Sequence, residues 1–359
     1  PMSQYIKECI YRLIAYVYYK KKMYVGASQK YRALAELFPQ KSKYKIQLAG
    51  VMGLQGDYYK AIEMYKKALE IDPDSFRANF SIAGIYTILE EYEKAEKHYK
   101  TAVSLNPNSS EACCHLGDIY RLTHRYEKAI EYFNSALRIN AHNAYIYTAL
   151  GDIYYSSDNI QKALECYLKK YKLEPKHPSN CCAIADIYKN LKDINNAIKF
   201  YKKAIQIDPY NPIPFASLGT LYLEVGKYDQ AIYVLGKALL IDIDDLSDKT
   251  NIGLAIKHAA LKDQAMKMYN DILVFCNIGI GNAYKAKNRA LDALRYYKKA
   301  VSLDEKSFEG HVCIVQVYKE NKDFPKAIDY LEDLIFEYPQ ESILSLELAK
   351  IYLEENKTE

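Results

Sequence analysis

The chain has 359 residues, 50% hydrophobic and 26% charged, a balance that excludes a disordered tail and a membrane bundle. Its 49 basic and 45 acidic residues leave a net charge of +4, so bulk attraction to nucleic acid or to an anionic membrane is not the expected role. Fourteen glycines and eleven prolines are too few for a protein of strands and tight turns, and eight scattered cysteines without a C-x-x-C exclude a disulfide scaffold. From the N-terminus, Pro1 ahead of Met2 reads as a protease-site scar, and residues 1–7 as that scar with a lead-in. No secretory leader opens the sequence, and no run approaches about eighteen apolar residues, so no membrane insertion is expected.

After residue 7 the chain repeats itself at a step of thirty-four. A small residue recurs at Ala15, Ala49, Ala83, Gly117, Gly151, Ala185, Gly219 and Gly253. Three positions later stand Tyr18, Met52, Tyr86, Tyr120, Tyr154, Tyr188, Tyr222 and Ile256. A second alanine column runs Ala27, Ala61, Ala95, Ala129, Ala163, Ala197, Ala231 and Ala265, with an aromatic or leucine four residues on, as at Tyr99, Phe133 and Leu235. These columns account for much of the content of 37 tyrosines. Within each unit, apolar residues at helical spacing (Leu116, Ile119, Tyr120) predict a first helix, a break such as Glu90-Glu91 or Gly226-Lys227, and a second helix. Prolines such as Pro73, Pro107 and Pro209 close many units, because proline cannot extend the helix. A hairpin this small hides its apolar face only by stacking on its neighbours.

Ten units are expected over 8–341, starting near 8, 42, 76, 110, 144, 178, 212, 246, 274 and 308, followed at 342–359 by a half-unit or capping helix. Gly253 and Gly281 are only 28 apart, and no proline turn precedes Asn277. The expected cause is about six residues missing near Cys276–Asn277, with a shortened loop as the other reading.

The sequence Leu116-Gly117-Asp118-Ile119-Tyr120…Ala129…Phe133…Ala136 resembles the tetratricopeptide repeat family, and the resemblance extends from about Glu8 to Leu353. The family's usual tryptophan early in the first helix is replaced by Tyr11, Tyr147 or Phe215. The resemblance implies an all-α solenoid, a right-handed superhelix of stacked helix-turn-helix hairpins whose first helices line a concave groove. It also implies a non-catalytic scaffold or adaptor in a multiprotein assembly, of the ciliary-transport, cargo-coat or cell-cycle ubiquitin-ligase type. The alternative is the substrate-recognition array of a larger, glycosyltransferase-like enzyme.

No phosphate loop, zinc helix or nucleophile elbow occurs, so no cofactor, metal or catalytic residue is expected. Gly279-Ile280-Gly281 is explained by close packing, Cys113-Cys114 and Cys181-Cys182 by burial, and Lys20-Lys21-Lys22 by solvent. Free thiols point to a reducing, intracellular and most simply cytoplasmic setting. The groove columns carried over from the family read Arg12, Ile46, Phe80, Cys114, Thr148, Cys182 and Tyr16, Gly50, Gly84, Asp118, Asp152, Asp186. They lack the lysine–asparagine set of a chaperone-tail clamp, and the column His115, Ala149, Ala183, Ser217, Asn251 is no asparagine ladder. What stands out is Asp118, Asp152 and Asp186, with Arg121, Tyr155 and Lys189 one turn later. Two readings follow: self-paired acids on a helix surface, or a polar track for a Lys- or Arg-bearing partner segment with Tyr145 and Tyr155 as anchors. Tyr11, Tyr16 and Tyr19 are read as core packing in preference to a second contact patch.

Overall fold

The computed structural model describes residues 4–241 and 262–355, and among these it has nineteen helices and no strand. They pair as α1 (Gln4–Lys20) with α2 (Tyr24–Leu37), α3 (Ser42–Leu54) with α4 (Tyr58–Leu69), and α5 (Phe76–Ile88) with α6 (Tyr92–Leu105). Then follow α7 (Ser110–Leu122) with α8 (Tyr126–Ile139), α9 (Ala144–Ser156) with α10 (Ile160–Leu173), and α11 (Pro178–Asn190) with α12 (Ile194–Ile207). The pair α13 (Pro212–Glu224) and α14 (Tyr228–Leu239) precedes α15 (Lys262–Ala286), α16 (Ala290–Leu303), α17 (Phe308–Glu320), α18 (Phe324–Glu337) and α19 (Ser342–Glu355). Two compact units divide the chain within α10, Pro1–Cys166 and Tyr167–Glu359.

Each hairpin among the described residues turns through one residue in the left-handed region. In the first unit these are Lys22, Gly56, Glu90, His124 and Asp158; in the second they include Lys192, Gly226, Asn288 and Lys322. The next residue's N–H then donates back to the carbonyl of the tyrosine column: Glu91 to Tyr86 (2.9 Å), Arg125 to Tyr120 (2.8 Å), Lys227 to Tyr222 (2.8 Å). This long-reach bond satisfies a carbonyl that the helix end would leave open. The tyrosine ring lies beneath a cation from the same turn, with Arg125 4.6 Å from Tyr120 and Arg289 4.8 Å from Tyr284. One column therefore serves helix, turn and packing together. Only two of these nine turn residues are glycine, so the others bear the steric cost of a Cβ at positive φ. Lys192→Gly (φ 63°) is expected to raise stability by up to about 1 kcal/mol. Gly226→Ala (φ 73°) should lower it by about the same amount. Urea denaturation of the two variants measures both signs.

Packing follows the small columns. Ala27, Ala61, Ala95 and Ala129 in the first unit, and Ala197 and Ala231 in the second, are wholly buried, which lets paired helices approach closely. Gly281 and Gly219 permit still closer contact. A Cβ on Gly281 would lie 2.4 Å from the Tyr297 ring, and one on Gly219 2.4 Å from Leu235. Tyr44 and Tyr120 in the first unit, and Tyr201 and Tyr297 in the second, are among the largest fully buried side chains.

Helix α15 runs unbroken through Cys276 and Asn277. The run Ile272-Leu273-Val274-Phe275-Cys276 offers no proline, glycine or capping residue, and the hydrogen-bond ladder simply continues. The expected unit start near 274 falls inside this helix, and the start near 246, with Gly253 and Ile256, lies outside the described residues. Tyr16 and Tyr19 are 52% and 42% exposed, not core, whereas Tyr11 does pack against the first unit's core. In α19, Leu344 and Ile351 are buried, while Leu346 and Tyr352 face outward.

Candidate functional site

The first unit places Asp118 and Arg121 on α7 and Tyr145, Asp152 and Tyr155 on α9; the second places Asp186 and Lys189 on α11. The start of α9 is set by Asn143, whose Oδ1 accepts from the N–H groups of Tyr145 (3.1 Å) and Ile146 (3.4 Å). That cap fixes Tyr145 in the first turn, and its hydroxyl reaches back to donate to Asp118 Oδ1 at 2.6 Å. Arg121 donates to the same oxygen from Nε (3.3 Å) and Nη2 (3.2 Å). All three donors converge on Oδ1, and Oδ2 receives no protein donor among the described residues. Burial and the neighbouring carboxylate push the Tyr145 hydroxyl up to about 12.

Asp186 is arranged differently. It accepts from the Tyr201 hydroxyl on α12, and burial raises its carboxyl above the ordinary value against the pull of Tyr201 and Lys189. The expected Asp186–Lys189 contact does not close, because Lys189 pairs with Glu224 of α13 at 2.6 Å. The same hairpin geometry recurs where the Tyr297 hydroxyl donates to Asn282 at 2.7 Å. Asp118 has Phe133 at that place, which has no hydroxyl to give, so it draws on the next hairpin's Tyr145. Tyr201 in the one hairpin and Phe133 in the other thus set where Asp186 and Asp118 find their donors. Asp152 and Tyr155 are both exposed.

Two further acids in the first unit escaped sequence reasoning, because each takes partners from the next hairpin. Glu96 accepts from Tyr120 (3.0 Å) and pairs with Arg125 (2.7 Å) and Lys100 (2.7 Å). Burial pushes its carboxyl up, but the three donors outweigh this and hold it at about 2. Glu8 is held at about 2 by Lys41 and Tyr44, with Lys43 3.5 Å away. Both folded values lie below the ordinary 4.5, so the stability they give is full above that value and is lost as pH falls through about 2. The melting temperature between pH ~5 and ~2 should therefore fall less steeply in Glu8→Gln/Glu96→Gln than in the wild type.

The thiols of the groove columns are set back from chemistry. Cys114 and Cys182 are pushed up to about 12, first by burial and then by Asp118 and Asp186 respectively, so both stay protonated. Among the described residues no three of His, Cys, Asp and Glu gather as a metal site would require, and no helix is long and apolar enough to cross a membrane.

The chain belongs to the tetratricopeptide repeat family. Family profiles described as tetratricopeptide repeat match residues 74–141, 111–173, 178–211, 200–233 and 276–307, and one described as TPR repeat matches 54–87. No curated protein sequence matches it. Among solved structures, the C-terminal part of a TPR repeat-containing protein from Cytophaga hutchinsonii is 18% identical, with 75% of this chain and 99% of that one covered and a TM-score of 0.61. A tetratricopeptide repeat protein from Parabacteroides merdae is 18% identical over 75% and 98%, TM-score 0.48. The MamA protein is 25% identical over 48% and 93%, TM-score 0.45.

Proposed function

We propose that this chain is a non-catalytic interaction scaffold in the cytoplasm, ten hairpins over 8–341 whose first-helix face holds segments of a partner protein. The partner segment is extended or helical and carries lysine or arginine. One observation carries this reading: the Asp118 carboxylate is held rigidly through Oδ1 by Arg121 and Tyr145, and its Oδ2 is left for an incoming cation. Tyr145 and Tyr155, 50% and 42% exposed, flank the acids Asp118 and Asp152 as broad, stiff contact surfaces. Asp186 and Lys189 extend the same role in the second unit. The array serves as an adaptor within a larger assembly, where many modest contacts add up along a repeated surface.

The test is fluorescence anisotropy with a labelled dodecapeptide alternating lysine and tyrosine. Asp118→Asn/Asp152→Asn/Asp186→Asn keeps hydrogen-bond acceptors while removing charge, and should weaken binding about ten-fold or more with little change in melting temperature. Wild-type affinity in that triple variant would move the binding surface elsewhere.

A further inference from the structure

We propose that the N-terminal end of the first unit's groove binds an acidic peptide segment, its carboxylates held by Arg12 and Arg77 above Tyr16, Tyr19 and Gln47. This rests on the groove reading above but uses other residues and the opposite charge. Two adjoining cavities open there, one of about 460 Å³ reaching Lys20 and Arg77, the other of about 300 Å³ reaching Arg12. They share Tyr16 and Gln47 in their walls, and no acidic residue lines either. Arg12 and Tyr16 stand in the very columns that further along read Cys114 and Asp118, so the groove changes sign along one unit.

The cations are the second observation. Lys41, Lys67, Lys100 and Arg125 of the same unit each have a carboxylate within 2.7 Å. Arg12, Lys20 and Arg77 are exposed and have none among the described residues. Three positive charges around an apolar, tyrosine-lined recess raise the local concentration of anions, and guanidinium groups favour planar carboxylates. A third feature favours a peptide over a lipid headgroup. The Gln47 amide oxygen is buried without a donor, and a turn of that amide offers it to a main-chain N–H. The recess has the size of a small-ligand or side-chain pocket, not of a flat membrane-facing patch.

The experiment uses the whole chain and a fluorescein-labelled dodecapeptide alternating aspartate and tyrosine, amidated at its C-terminus. Wild type should bind it, and bind the free-acid form equally well, since no terminal carboxylate is required. Arg12→Glu/Arg77→Glu should weaken binding about ten-fold or more at an unchanged melting temperature, as both arginines are exposed. If that variant misfolds, Arg12→Gln/Arg77→Gln should still lower both the affinity and its salt dependence. The aspartate-to-asparagine triple variant should leave this peptide's affinity unchanged, so the two readings fail separately. Undiminished binding by both arginine variants, no binding by the wild type, or binding of phosphatidylserine vesicles in its place would each overturn the proposal.

Discussion

Phe133→Ala is expected to destabilise the first unit by about 3–5 kcal/mol, read as a lowered urea midpoint. The ring is wholly buried, and it fills the space that Gly117 leaves: a Cβ on Gly117 would lie 2.8 Å from it. A solenoid hairpin cannot close such a void by shifting, because its other face is already packed on neighbours. The converse change is informative. Gly117→Ala alone should cost about 1–3 kcal/mol through overlap with the ring, yet in the Phe133→Ala background it should recover part of the loss. Additive losses in the double variant would mean that the two positions do not share one contact.

Asn277→Pro should cost about 3 kcal/mol or more, because it falls within the unbroken α15. Proline would remove the N–H that the helix ladder requires at 277 and press its ring against the Leu273 carbonyl, which also accepts from Asn277 Nδ2 at 2.8 Å. Val274, Cys276 and Ile278, all buried, would lose their register with neighbouring helices. The same substitution at a hairpin-to-hairpin turn would be harmless, since proline already begins α11 and α13. Melting followed by circular dichroism at 222 nm separates the cases. A variant as stable as wild type would restore the turn expected from the irregular spacing.

The hairpins were legible because their signals are local and repeated. The alanine columns, the closing prolines and the helical spacing each state the same answer many times, and the buried alanines fall where the step of thirty-four puts them. The turn residues were not legible as a left-handed column, because Lys, Glu, His, Asp and Asn mask the glycine signature that only Gly56 and Gly226 display. The fate of α15 was missed for a related reason. Spacing argued for a break, but the residues at the join contain nothing that ends a helix. For the candidate site, spacing placed Asp118 beside Arg121, and that pair does form. It also placed Asp186 beside Lys189, where Glu224 of the next hairpin proved the better partner. Ion pairs between successive hairpins depend on side-chain reach, which periodicity does not encode. Tyr16 and Tyr19 share the helical spacing of core residues, but the N-terminal hairpin leaves them uncovered.

Hydrogen–deuterium exchange with and without the lysine–tyrosine dodecapeptide tests the central claim most directly. In the first unit the peptide should slow exchange on the first helices, Ser110–Leu122 and Ala144–Ser156, and leave the second helix, Tyr126–Ile139, unchanged. Slowed exchange confined to Tyr126–Ile139, or spread evenly over every helix, would contradict a scaffold that holds its partners on the first-helix face.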